Sequence, residues 1–305
     1  MRGGDAGAGV KFARDTRGTM QPDAAAPAEF PCRLCSATVR ARPWGGGECG
    51  ACGSVNVEHL PSRAELAQFY RAYGVHYQGG GTSEGRNLQR YARKYLQRVD
   101  ASAVGDRLID VGSSNSPFPA LAARAGFEVT VMDYRRPRDL PESVRFIESS
   151  LDDIDLPPGH AHAYDVVCAW AVLEHLPRPM HGAQLLARLC DRGARLHLSM
   201  PESGTLLTRH SIGRSPWFYP PEHLHLPSTG AVREIFESFG FELVRSGRLE
   251  LTAWRYAARY GIGAAEAGAG AVLKALSRPT WQRLRDSRLH RFAGISCFEF
   301  VKARA

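Results

Sequence analysis

Residues 107–134 read RLIDVGSSNSPFPALAARAGFEVTVMDY. The run RLIDVG is short, β-branched and ends in glycine; PFPALAARAG has helical character; FEVTVMD is a second strand that closes on Asp133. Strand, turn, helix, strand with an acid 21 residues beyond Gly112 is the frame of a doubly wound nucleotide site. A plain α/β strand pair is the alternative reading of the same residues.

The turn narrows the ligand. A pyrophosphate needs glycines that let backbone and phosphate meet at a helix N-terminus. Here Gly112 is followed by Ser113, Ser114, Asn115, Ser116 and Pro117, a loop with one glycine and several small hydrogen-bonding side chains. A sulfonium nucleoside carries no phosphate, so such a loop has to pass only a ribose and a methionine carboxylate. The loop therefore fits S-adenosylmethionine better than a dinucleotide, and Asp133 suits an unphosphorylated ribose diol. Pro117 is expected in the first turn of the helix.

Upstream, four cysteines fall as Cys32-x2-Cys35-x13-Cys49-x2-Cys52. Each Cys-x-x-Cys turn points two thiolates at one tetrahedral ion, so the spacing predicts a structural Zn2+ site. About 30 residues cannot build a core of their own, and a metal replaces it. His59 is a further candidate, but four thiolates already close the site. Cys168, Cys190 and Cys297 lie in apolar segments and are expected as buried small hydrophobes. Nothing in the sequence suggests secretion, and free thiols are expected in the cytoplasm.

The chain of 305 residues is 44% hydrophobic and 23% charged, an ordinary globular composition. No apolar run reaches the ~20 residues of a membrane span. Residues 1–29 lack a signal-peptide core and read as a disordered leader, with Met20 an alternative start. The net charge of +8 is concentrated: residues 248–305 hold 11 Lys/Arg against 4 Asp/Glu. Basicity of that kind does not by itself indicate nucleic acid. Residues 255–294 read as a helical insertion whose Arg283, Arg285, Arg288 and Arg291 could meet a phosphate-bearing substrate, make weak contact with an anionic membrane surface, or form a solvated face.

Between ribbon and main domain, residues 61–104 read as two helices around a glycine-rich loop, 78–85, a candidate lid. Tyr70, Tyr73, His76 and Tyr77 cluster before it, either as aromatic packing or at the cleft. Later segments continue the strand pattern: VRFIESSLDDIDLPP, AYDVVCAWAVLEHLPRP, ARLHLSMPE, GFELVRSG and ISCFEFVKA. Trp217, Phe218 and Tyr219 are candidates for an acceptor wall or for core packing.

This arrangement is similar to the class I S-adenosylmethionine-dependent methyltransferases, on YDVVCAWAVLEHL, PPEHLHLPS and the FGF at 239–241. Gly112, Asp133, Asp165, Glu174, His175 and His223 fall in the family's order. The cysteine segment and Tyr-rich linker ahead of such a domain resemble the sugar C-methyltransferase group. That resemblance implies an α/β, doubly wound, seven-stranded Rossmann-like methyltransferase sheet in residues 105–305, with a small N-terminal zinc ribbon at 30–60. It implies a small-molecule acceptor, possible sugar nucleotides or secondary metabolites included. His175 falls at the active-site histidine, Glu222-His223 at an EH pair after the fifth strand, and Tyr77 at a linker tyrosine. The cofactor set implied is Asp110, Gly112, Ser113, Ser114, Asp133, Tyr134, Ser150, Leu151 and Trp170. The chain departs from the group in having no long C-terminal domain, a shorter zinc segment, and Ser150 with Leu151 where many relatives carry an acid. Two other classes remain: a ribosomal RNA methyltransferase reading RNA through the ribbon, disfavoured because residues 30–60 carry only Arg33, Arg40 and Arg42 as basic residues, and a non-catalytic scaffold.

Overall fold

The computed structural model describes residues 28–76, 83–149, 156–204, 220–248 and 295–303. The leader up to residue 27, Tyr77 with most of the glycine-rich loop, Ser150, Leu151, the 217–219 aromatic run and the insertion 255–294 lie outside the described residues.

The chain opens with two short hairpins, β1 (Glu29–Pro31) with β2 (Thr38–Arg40) and β3 (Gly46–Glu48) with β4 (Val55–Val57). Each hairpin turn carries one Cys-x-x-Cys pair. Helix α1 (Arg63–His76) begins at a capping box: Ser62 Oγ accepts from the Glu65 N–H at 3.2 Å and Glu65 returns the bond to the Ser62 N–H at 2.7 Å. Helix α2 (Ser83–Asp100) buries Ala92, Tyr95 and Val99, spaced to lie on one helical face.

The main sheet is built from β5 (Arg107–Val111), β6 (Glu128–Asp133), β7 (Arg145–Glu148), β8 (Tyr164–Trp170), β9 (Cys190–Pro201), β11 (Phe241–Arg248) and β12 (Ile295–Lys302). Its spatial order is β11-β12-β9-β8-β5-β6-β7. The five strands from β7 to β9 run parallel, while β12 is antiparallel to both β9 and β11. This is the seven-stranded, mostly parallel α/β sheet expected. Parallel strands are covered on both faces, which is why their sequences read as near-continuous apolar runs.

Period two divides the core. Leu108 and Val166 face α2 and α3 (Phe118–Arg124), with Tyr95, Phe118 and Ala122. Ile109, Val111 and Val167 face the other side, where α4 (Pro179–Leu189) and α5 (Thr229–Ser238) pack with Leu186 and Phe236. Phe30, Leu34 and Val39 of the first hairpin join this second layer, so the cysteine segment shares a core with the sheet. Pro117 sits at the N-cap of α3, just outside the first turn where it was expected. Cys168, Cys190 and Cys297 are buried, as their apolar settings predicted. No helix among the described residues is long and apolar enough to cross a membrane.

A second sheet ties the molecule together. Strand β10 (His225–Leu226) pairs antiparallel with β4, His225 opposite Asn56 and Leu226 opposite Val55. Ser228 Oγ accepts the Ala231 N–H as the cap of α5 and donates to the Cys52 carbonyl at 2.5 Å. Ser203 Oγ donates to the Gly53 carbonyl at 2.6 Å. The cysteine turns are thus bonded to the loop that carries Glu222 and His223.

Candidate active site

Strand order reverses between β5 and β8, and the crevice above their carboxyl ends is where an open α/β sheet takes ligands. Gly112 stands there with φ +71°, a conformation that favours glycine. A Cβ on it would lie 2.8 Å from Val172 Cγ2. Gly112→Ala is therefore expected to cost about 2 kcal/mol or more, from strained backbone and a crowded valine together, read as a lowered thermal midpoint.

The next turn is held by Asp133. Its Oδ2 accepts the Ser114 N–H at 2.7 Å, with Ser114 itself at φ +48°. Burial raises the Asp133 carboxyl above its ordinary range, partly offset by backbone N–H bonds from Ser114, Tyr134 and Arg135. Asp133 lines a small, partly open cavity with Ser114, Asn115, Tyr134, Arg135 and Pro137. Tyr134 is half exposed at its rim. Asp110 and Ser113 are buried beneath, and burial pushes the Asp110 carboxyl up to about 8.

Trp170 lies lower. Its ring stacks on Tyr95 with centroids 4.0 Å apart and meets Phe118 edge-on at 5.5 Å, packed between α2, α3 and the sheet. Asp165 stands at the far end of β8 from the crevice. It takes Arg107 Nε at 2.9 Å and Nη2 at 2.6 Å, and Asp191 takes the same guanidinium at 3.0 Å. This bidentate clamp pins the amino ends of the strands and lowers the Asp165 carboxyl.

Beside the cavity a second cluster converges. A turn of 3-10 helix, Leu173–His175, follows β8, and the Pro220–Pro221 segment leads to His223. The Leu224 N–H donates to the Glu174 carbonyl at 2.8 Å, and His225 Nε2 lies 2.9 Å from the Leu176 carbonyl, so the two segments are laced together. The rings of His175 and His223 are then 4.8 Å apart, edge to face. Tyr70 of α1 puts its hydroxyl 3.3 Å from His175 Nδ1 and its ring 6.3 Å from Tyr134. Burial, then the His223 charge, pushes the His175 imidazole down to about 3, making it neutral and a weak proton acceptor. Glu174 is fully buried, its carboxyl pushed up to about 8 by burial, and neither of its oxygens has a hydrogen-bond partner.

The structure brings His175 and His223 together, with the Glu222 backbone bonded to the His175 ring. Tyr70 was expected only in a cluster that either packs or lines the cleft, and Glu174 only by its place in the motif order; neither was given a role in the site. A signal for Tyr70 existed in the cluster of tyrosines that precedes the glycine-rich loop.

At the other end of β4, the thiols of Cys32, Cys35, Cys49 and Cys52 lie within 4.8 Å of one another. Cys32 and Cys52 Sγ are 3.7 Å apart, Cys35 and Cys49 Sγ 3.5 Å, too long for disulfides and near the ~3.8 Å edge of a tetrahedron with ~2.3 Å metal–sulfur bonds. Asn56 Nδ2 donates to Cys32 Sγ at 3.5 Å, an outer contact typical of metal-held thiolates. His59 is not part of this cluster.

A family model described as a methyltransferase domain matches residues 85–246, just over half of the chain. No curated protein matches the sequence. Among solved structures, the 1,6-didemethyltoxoflavin N1-methyltransferase of Burkholderia thailandensis, with bound 1,6-didemethyltoxoflavin and S-adenosylhomocysteine, is similar. Its identity is 16% and its TM-score 0.50, over 84% of this chain and 97% of that one. The cyclase SpnF is similar at 15% identity and a TM-score of 0.51, over 82% and 99%. At such identities the likeness shows a shared fold, and the two differ in the reaction named.

Proposed function

The chain belongs to the methyltransferase domain family, and from that premise we propose that it transfers the methyl group of S-adenosylmethionine to a small-molecule acceptor. The observation that carries this reading is Tyr70, which touches both halves of the site: Tyr134 at the rim of the Asp133 cavity and His175 in the histidine cluster. Cofactor and acceptor would then meet on either side of one side chain.

Asp133 would hold the ribose diol, Ser113 and Ser114 the methionine carboxylate, and Gly112 the passage beneath the ligand. Ser150 and Leu151 remain the proposed adenine neighbours. Trp170, stacked on Tyr95, would support the floor. When bound, S-adenosylmethionine supplies an electrophilic sulfonium methyl. The chain's own task is to align the acceptor in line with it, worth up to ~7–11 kcal/mol of the barrier, and to take up the acceptor's proton. His223, presented by Pro220–Pro221 with Glu222, is the proposed base, with His175 beside it and Tyr77 a further proposed catalytic residue. The S-adenosylhomocysteine bound by the Burkholderia relative, the demethylated form of the cofactor, supports the cofactor, and a sugar nucleotide or a secondary metabolite is the proposed acceptor class. Calorimetric titration with S-adenosylmethionine tests the reading, and absence of binding would overturn it.

Residues 30–60 are proposed as a zinc ribbon, because four thiolates at tetrahedral spacing with a donor on Cys32 fit that ion. Arg33 Nη2 is 3.5 Å from the Glu58 carbonyl and Arg40 pairs with Glu29, so two of its three basic side chains are engaged within the ribbon rather than arrayed for RNA. Elemental analysis of protein purified without added metal should find about one Zn2+ held by the thiolates. Cys32→Ser should release it and, through β4 and β10, loosen the Glu222-His223 loop. Activity retained in full by metal-free, folded protein would sink this coupling.

A further inference from the structure

Among the described residues two carboxylates, Asp110 and Glu174, are buried with neither oxygen hydrogen-bonded, and Glu174 is the one beside two imidazoles. It is fully buried, and neither carboxylate oxygen has a hydrogen-bond partner. An isolated carboxylate in such a place is costly unless a cation or donor meets it. The groups nearest to it are nitrogen donors of the right kind for a metal. One ligand atom each from Glu174, His175 and His223 lies within 4.8 Å of the others, and His175 Nε2 is 3.9 Å from Glu174 Oε1. Ligands at ~2.0–2.2 Å from one tetrahedral ion stand about 3.3–3.6 Å apart, so the widest of these separations has to shorten by about 1.2–1.5 Å to seat it.

We propose that Glu174, His175 and His223 bind a divalent transition-metal ion, which holds an oxygen of the acceptor beside the methyl donor. Two imidazoles and one carboxylate form a three-ligand set that leaves positions open for substrate, and it suits zinc, cobalt or manganese rather than calcium or magnesium. Tyr70 is the outer partner of this site: in the tautomer with the proton on Nδ1 of His175, its hydroxyl 3.3 Å away accepts that proton's bond and Nε2, 3.9 Å from Glu174 Oε1, carries the lone pair. In this arrangement His175 and His223 act as ligands in place of bases: coordination polarises the acceptor so that its O–H, or a C–H next to its carbonyl, gives up its proton to solvent water as the methyl is transferred. The preferred acceptor is thus a molecule with a hydroxyl or carbonyl oxygen at or next to the methylated atom. This acceptor half rests on the methyl-transfer reading; the ion does not.

The test is equilibrium dialysis of the full-length chain against micromolar Zn2+, with elemental analysis. About two ions per chain are expected in the wild type and one fewer in Glu174→Gln and in His223→Ala, with circular dichroism unchanged. Glu174→Gln keeps the side-chain shape; should it fail to fold, the part-exposed His223→Ala is read alone. An equal count in wild type and variants overturns the metal site. Calorimetry with S-adenosylmethionine on the same samples separates the two ideas: cofactor binding without the extra ion sinks only the metal, and the extra ion without cofactor binding sinks only methyl transfer.

Discussion

Replacing His223 with alanine lowers the rate of acceptor methylation by about 10²–10⁴-fold while S-adenosylmethionine affinity stays within about two-fold of wild type. The ring is part-exposed and 4.8 Å from His175, and it is carried by a loop fixed at both ends, by Pro220–Pro221 before it and by β10 pairing after it. Truncation removes the imidazole without opening the sheet core, because Leu224 and His225 keep their bonds to β4 and the 3-10 turn. The cofactor cavity contains neither histidine, so affinity for the methyl donor is independent of the change. Single-turnover rates with the acceptor, beside calorimetry with S-adenosylmethionine and a thermal melt, check all three quantities. A lowered midpoint with normal activity per folded molecule would make His223 a structural residue.

Asp133→Ala weakens S-adenosylmethionine binding by roughly 10- to 100-fold, the worth of a hydrogen bond to a charged group. The same carboxylate also anchors the Ser114 N–H at 2.7 Å, so alanine frees the turn that passes under the ligand. Asp133→Asn separates the two contributions: it keeps an oxygen for Ser114 and loses the charge, and its affinity should fall between wild type and alanine. A pH dependence follows with a definite sign. Burial raises the Asp133 carboxyl, so protonation sets in above the ordinary aspartate range, and affinity falls as pH drops through that raised value. Titrations across the acid side check this. Binding unchanged in both variants would mean that the ribose lies elsewhere.

Much of the molecule was legible in the chain because it is written in local chemistry. The strands of the sheet announce themselves as apolar runs, since burial on both faces leaves no room for alternation. Cys32, Cys35, Cys49 and Cys52 are readable because two tight turns place thiolates by spacing alone. Asp133 and Gly112 are readable because one strand end and one turn impose their own geometry. Asp165 shows the limit of motif order: it falls in sequence with the site residues but clamps Arg107 at the opposite end of β8, since position along a strand, not rank in a motif, decides which end a side chain serves.

What only the tertiary structure decided is what long-range pairing brings together. Tyr70 and His175 are 105 residues apart, and no periodicity links them; they meet because α1 is laid over the carboxyl ends of the strands. The cysteine turns reach the Glu222-His223 loop because β4 pairs with β10, a register set by backbone hydrogen bonds between segments about 170 residues apart. Glu174 reads in sequence as one polar residue among apolar neighbours. Folding takes it out of water beside two histidines, and desolvation, a property of the whole packed environment, leaves it a buried carboxyl without a hydrogen-bond partner.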